Sequence, residues 1–320
     1  MSLPAVDPEI RTLLDTSDAE VFPLHDLDDV LADPARYALL RDRPDTRVDD
    51  RVKVGDLYIP GPGGQLRLRV YRPAADDTAP AAVPAALPVV LYLHGGAFTY
   101  GSPEAEEDHA LRYAAEARAV VVSVDYRLAP EHPFPAGPDD AYAALTWLAA
   151  HAAEIGGDPE RIALVGVSAG GNIAASTALR ARDLGGPQPV FQLLTYPALD
   201  SHAASDSMRE ATGTPVLNQA AAAWAWHYYT GGDLHTPYAA PLAATDLSGL
   251  PPALVVVAEV DPLRDEGRRY AERLTAAGVT TELIQVPGAV HGFDLIFPNA
   301  RVSERNLADQ VRALREALHG

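Results

Sequence analysis

The sequence predicts an α/β fold with a mostly parallel central sheet and helices on both faces. Three observations lead there. From residue 88 onward, short apolar runs alternate with stretches of helical spacing, the pattern of repeated βαβ units. Those runs are almost continuously Val, Leu, Ile and Ala, as strands covered on both faces must be. At 320 residues the chain is also long enough to bury a large core, in one layered domain or in two.

The elements follow in order. Residues 8 to 48 are polar and acidic, with loosely helical spacing at Ile10, Leu13 and Leu14 and again at Leu31, Tyr37 and Leu40. Pro23, Pro34 and Pro44 break that stretch into short helices. From Val52 the period drops to two: VKVGDLYIP and LRLRVYRP read as a hairpin around GPGG. Residues 73 to 88 are a long Pro- and Ala-rich loop, expected to be mobile. Strands are then predicted at PVVLYL, AVVVSVDY, RIALVGV, VFQLLTYP, PALVVVAEV and TTELIQVPG. Helices are predicted over 104–118, 137–154, 170–184 and 266–277 and from about 301. Residues 200–248 interrupt the rhythm with polar turns and the aromatic stretch AAAWAWHYYTGG. The expected organisation is therefore a two-part core, 49–199 and 249–320, with a helical cap built from residues 1–48 and 200–248 over one end of the sheet.

Composition excludes several kinds of function. A formal net charge of −19 opposes nucleic-acid phosphate and anionic lipid. The absence of cysteine removes disulfides, thiol catalysis and thiolate metal sites. The first residues, MSLPAVDPEIRTLLD, lack a basic segment followed by an apolar one, and no run approaches the roughly 20 apolar residues of a membrane span. A cytoplasmic protein without a nucleic-acid or membrane partner is the expectation.

Ligands of open α/β sheets bind beyond the carboxyl ends of the strands, and four features fall at such ends. In GVSAGGN, Ser168 occupies a strand-to-helix turn so tight that side chains at Gly166 or Gly170 would meet backbone. His94-Gly95-Gly96-Ala97 follows PVVLYL, and a loop with so little side chain exposes amides. The Gly95, Gly96 and Ala169 N–H groups are the expected donors to a developing oxyanion. His94 itself reads as a structural residue. Asp261 follows PALVVVAEV, and His291 follows ELIQVPGAV. The three side chains suit acyl transfer: His291 takes the proton of Ser168, and Asp261 orients the imidazole and stabilises its cation. Activity then falls on the acid side as the imidazole is protonated. Glu259 lies inside the strand and needs a partner, and Asp265 reads as a cap for the next helix. The remaining histidines, His202 and His235 among them, show no metal-ligand spacing.

With these motifs assembled, the chain resembles the hormone-sensitive-lipase-like (family IV) carboxylesterases of the α/β-hydrolase superfamily. The resemblance runs from the hairpin to the C-terminal helix on HGGAF (94–98), DYRLAPEHPFPA (125–136), GVSAGGN (166–172), DPLRDEG (261–267) and HGF (291–293). It implies the α/β-hydrolase fold, a Ser168–Asp261–His291 triad, an oxyanion hole of Gly95, Gly96 and Ala169, and a two-part cap over the acyl and alcohol pockets. It also implies hydrolysis of short-chain esters with no cofactor or metal, and pairing of two copies through the last strand. Two positions depart from the family. Ala97 replaces the third glycine of the loop, and Val167 stands where Asp or Thr commonly precedes the nucleophile. The same triad serves lactones, amides or carbonates, and a fold of this kind can act as a non-catalytic receptor. Asp125, Arg127 and Glu131 read as a structural ion-pair network. Tyr100, Tyr196 and Trp224 are the expected pocket residues, and Trp226 and Tyr228 of the same inserted helix, like Trp224, either line the pocket or pack the cap.

Overall fold

A computed structural model describes residues 5–16, 49–74, 86–232 and 234–320. The expected helices beyond residue 16 and most of the Pro/Ala loop lie outside the described residues. Eight strands form one sheet: β1 (Val52–Gly61), β2 (Gly64–Pro73), β3 (Leu87–Leu93), β4 (Val120–Val124), β5 (Gly157–Val167), β6 (Phe191–Thr195), β7 (Ala253–Val260) and β8 (Thr281–Val290). Their order is β1-β2-β4-β3-β5-β6-β7-β8. β1, β2 and β4 pair antiparallel, whereas every pairing from β4–β3 to β7–β8 is parallel. The chain order reverses between β3 and β5, and ligand sites of such sheets form at that switch point.

The strands bury alternate side chains in opposite directions. Val89, Leu91 and Leu93 of β3 join one apolar cluster, and Val90 and Tyr92 join the other. The first cluster is closed by α3 (Ala136–His151), α4 (Ala169–Asp183) and α7 (Arg264–Ala276), through Leu145, Ile173 and Leu274. The second is closed by α2 (Glu107–Ala117) and α9 (Arg301–His319), through Leu111, Leu307 and Leu314. In α9 the buried residues recur at three- and four-residue steps (Leu307, Val311, Leu314, Leu318), which is why this charge-rich segment packs as a helix.

At the amino end, α1 (Pro8–Thr16) is capped by Asp7, whose carboxylate accepts the Glu9 and Ile10 amides at 2.8 and 3.2 Å. Between β6 and β7 the chain leaves the layers and forms α5 (Asp206–Glu210) and α6 (Gln219–Thr230), capped by Ser205 and Asn218. The short α8 (Phe293–Ile296) follows β8. No helix among the described residues is long and apolar enough to cross a membrane.

Candidate active site

β5 delivers Ser168 into a strained turn, with φ 54° and ψ −116°, directly before α4. The turn requires its glycines. A Cβ on Gly166 would stand 2.2 Å from the Gly170 carbonyl oxygen, and one on Gly170 would stand 2.0 Å from that of Leu93. From this turn the Ser168 hydroxyl reaches His291 Nε2 at 2.9 Å. His291 Nδ1 in turn meets Asp261 Oδ2 at 2.7 Å, and the other Asp261 oxygen accepts the Leu263 amide at 2.8 Å. Asp261 is fully buried and His291 nearly so, so the pair works in a medium where its attraction is weakly screened. The three side chains read from the sequence thus form one continuous hydrogen-bonded line.

The glycine loop after β3 differs from expectation in one donor. Gly95 N–H donates to Glu106 Oε1 at 2.7 Å, a contact made from the 3₁₀ turn Pro103–Glu106. That amide already has an anchor and does not serve the cavity. Among the described residues no acceptor takes the amides of Gly96, Ala97 or Ala169, all of which line the cavity with Ser168. Ala169 opens α4, where the first N–H groups have no partner within the helix. Gly96 sits at φ +119°, and a Cβ there would lie 2.0 Å from the Tyr100 carbonyl oxygen. His94 holds the loop from beneath, as expected of a structural residue: it is buried, stacked on Tyr126 at 4.3 Å, with Nδ1 2.7 Å from the Gly95 carbonyl oxygen.

A family model described as an alpha/beta hydrolase fold matches residues 90–295, a span that holds all of these groups. The chain belongs to this family, the hormone-sensitive-lipase-like α/β hydrolases. It is similar to esterase LipI of Mycobacterium tuberculosis, 44% identical over 325 residues covering 99% of this chain and 97% of that protein. It is 33% identical to the ethyl acetate hydrolase of Pseudomonas putida, over 98% of this chain and all of that one. Among solved structures, a bacterial heroin esterase superposes with a TM-score of 0.84 at 38% identity, covering 99% of both chains.

The hydrolase's cavity measures about 980 Å³ including its open mouth, and its walls are mostly apolar. Tyr100 and Tyr196 line it, as expected from sequence. Tyr196 presents its ring: the edge meets His291 with centroids 4.8 Å apart, and its hydroxyl donates away from the cavity to buried Asp294 at 2.7 Å. Trp224 does not line the cavity. It lies on the outer side of α6, about a third exposed and stacked on Tyr228, and Trp226 takes the inner position beside Phe98 at 5.3 Å. Val216, just before α6, also faces the cavity, held at φ 68° where a β-branched residue is strained.

Neighbouring carboxylates have separate tasks in the hydrolase. Glu259 accepts the Gly288 amide at 2.8 Å, beside the irregularity that ends the β7–β8 ladder before His291. Asp265 does not cap α7. It accepts the Ser207 amide at 2.8 Å and so ties α5 to the core. Glu266, within a motif quoted from the sequence but given no role there, is buried and accepts the Leu199 amide at 2.7 Å. Burial first, then the nearby Asp200 and Asp261 charges, push its carboxyl well above the usual range. Asp125 and Arg127 do not pair with each other: Asp125 binds Arg67 at 3.0 Å and Arg127 binds Asp140 at 2.9 Å.

Proposed function

We propose that the chain is a serine carboxylesterase for short-chain acyl esters, with Ser168 as nucleophile, His291 as general base and acid, and Asp261 as its orienting partner. One observation carries the assignment: the unbroken Ser168–His291–Asp261 line at the floor of an apolar cavity. In the first half-reaction His291 Nε2 takes the hydroxyl proton while Ser168 Oγ attacks the ester carbonyl. The Gly96, Ala97 and Ala169 amides receive the oxyanion, and a donor of this kind contributes about 10²- to 10³-fold in turnover. His291 then returns the proton to the departing alcohol. In the second half-reaction it activates water against the acyl-enzyme by the same route.

The substrate reading draws on the small-ester substrate in the name of one relative, the ethyl acetate hydrolase. We assign the inserted part of the cap to residues 200–248, since Val216, Leu217, Ala222, Ala225 and Trp226 supply one wall of the cavity; most of the part expected at 1–48 lies outside the described residues. We assign pairing of two copies to β8, the edge strand at the parallel end of the sheet, whose Leu283 is exposed. The deciding measurement is hydrolysis of p-nitrophenyl acetate and butyrate by the wild-type chain and by Ser168→Ala. Turnover by the former and its loss in the latter are expected, and equal rates would overturn the assignment.

A further inference from the structure

His202 and His235 stand 33 positions apart in sequence, yet their rings lie 3.7 Å apart between centroids, inclined at 32°. Asp200 completes a group in which one donor atom from each residue falls within 4.8 Å of the others. We propose that Asp200, His202 and His235 form a binding site for a first-row divalent cation of the zinc type, which clips together the two stems of the β6–β7 connection. This site is separate from the triad and takes no part in the hydrolysis described above.

The surroundings of His235 suit a metal. The Ser201 oxygen lies 2.7 Å from His235 Nδ1 and 3.3 Å from the Leu234 carbonyl oxygen. A metal on Nε2 places the imidazole proton on Nδ1, and Ser201 can then accept it while turning its own proton to the Leu234 carbonyl. A serine in this position orients the ring as outer-shell partners of metal-bound histidines do. Asp200 adds the anionic donor. One of its oxygens accepts the His202 amide at 3.1 Å, which fixes the carboxylate beside that ring.

Two imidazoles and a carboxylate suit zinc and its transition-metal neighbours better than magnesium or calcium, which prefer all-oxygen sets. Tetrahedral zinc with bonds of about 2.0–2.2 Å needs donors roughly 3.3 Å apart. Both imidazoles are exposed, so side-chain rotation closes the remaining distance and water fills the fourth position. His202 precedes α5 and His235 follows α6, so the cation closes a loop whose middle, at Leu217 and Trp226, walls the cavity. A ligand bound to the folded state alone raises its stability by mass action.

The test uses the untagged full chain, stripped with a chelator and titrated with zinc chloride by calorimetry and thermal melting. One equivalent is expected to bind and raise the melting temperature. His202→Ala and His235→Ala should each weaken binding at least tenfold, and Ser201→Ala by about tenfold through the lost orientation of the ring. The exposed His227 serves as control, and His227→Ala should bind as the wild type does. Unchanged affinity in both histidine variants, an equal loss in His227→Ala, or no saturable binding would each overturn the site. Ester hydrolysis by the metal-free variants, near the wild-type rate, verifies that they fold.

Discussion

Glu106 Oε1 accepts the Gly95 amide at 2.7 Å, while its other oxygen takes the Tyr92 hydroxyl. A buried carboxylate thereby pins the loop whose next two residues line the cavity with Ser168. Removing it leaves the Gly95 N–H buried without an acceptor and lets Gly96 and Ala97 drift from the nucleophile. Glu106→Ala should lower kcat by up to about 10²-fold, the scale of one lost oxyanion donor, with a much smaller change in KM. Glu106→Gln keeps an acceptor oxygen and should recover most of the loss. Ala97 already sits at φ 50°, so Ala97→Gly should be near neutral, whereas Gly96→Ala drives its Cβ into the Tyr100 carbonyl and should abolish turnover. Steady-state kinetics on p-nitrophenyl butyrate separates these outcomes, and full kcat in Glu106→Ala would refute the tether.

Asp261→Asn keeps the shape of the triad but replaces the anion beside His291 with an amide that favours the wrong tautomer. Turnover should fall by about 10⁴-fold, as for the equivalent change in serine proteases. The fold should survive, since the Leu263 amide still finds an oxygen. Circular dichroism and kinetics on the same sample test both halves, and a loss under tenfold would remove Asp261 from the assigned role.

Glu266 gives the hydrolase a pH-dependent weakness. Burial raises its folded-state pKa well above the ordinary glutamate value of 4.5. Below that value both folded and unfolded chains are protonated, and the group has no pH-dependent effect. As pH rises past it, the unfolded chain ionises first, so stability falls by about 1.36 kcal/mol per pH unit until the folded carboxyl also ionises. Glu266→Gln removes this slope and keeps an oxygen for the Leu199 amide. The melting temperature of the variant should gain on the wild type between pH 5 and pH 8, and a constant difference would show that Glu266 is already charged in the folded chain.

The parts of the site legible in sequence are those tied to strand ends. Gly166, Ser168 and Gly170 announce their turn because only small residues fit it, and Asp261 and His291 follow apolar runs too regular to misplace. Glu106 was hidden, because PEAEED reads as the solvated start of a helix. Its reach to Gly95, eleven positions back, depends on a 3₁₀ turn that no local pattern encodes. For that reason the Gly95 amide is held by Glu106 rather than left open to the cavity. Asp265 is hidden in the same way: its partner Ser207 lies 58 positions away across the β6–β7 connection. The His202–His235 pair is likewise set by tertiary packing alone.

The choice between Trp224 and Trp226 is the remaining case, and it yields a direct comparison. α6 reads QAAAAWAWHYYT, with no charged face to fix its rotation, and residues two apart point about 200° from each other. Alternation in the text therefore does not say which tryptophan turns inward. Trp226 is 4% exposed and packs on Phe98 and Tyr229, whereas Trp224 is 36% exposed. Trp226→Ala should destabilise the hydrolase by about 3–5 kcal/mol, widen the cavity and shift preference from acetyl toward longer acyl esters. Trp224→Ala should stay within about 0.5 kcal/mol of the wild type and keep its chain-length profile. Melting curves and a series of p-nitrophenyl esters from acetate to decanoate check both variants. A changed profile in Trp224→Ala together with an unchanged one in Trp226→Ala would reverse the assignment of the inner face.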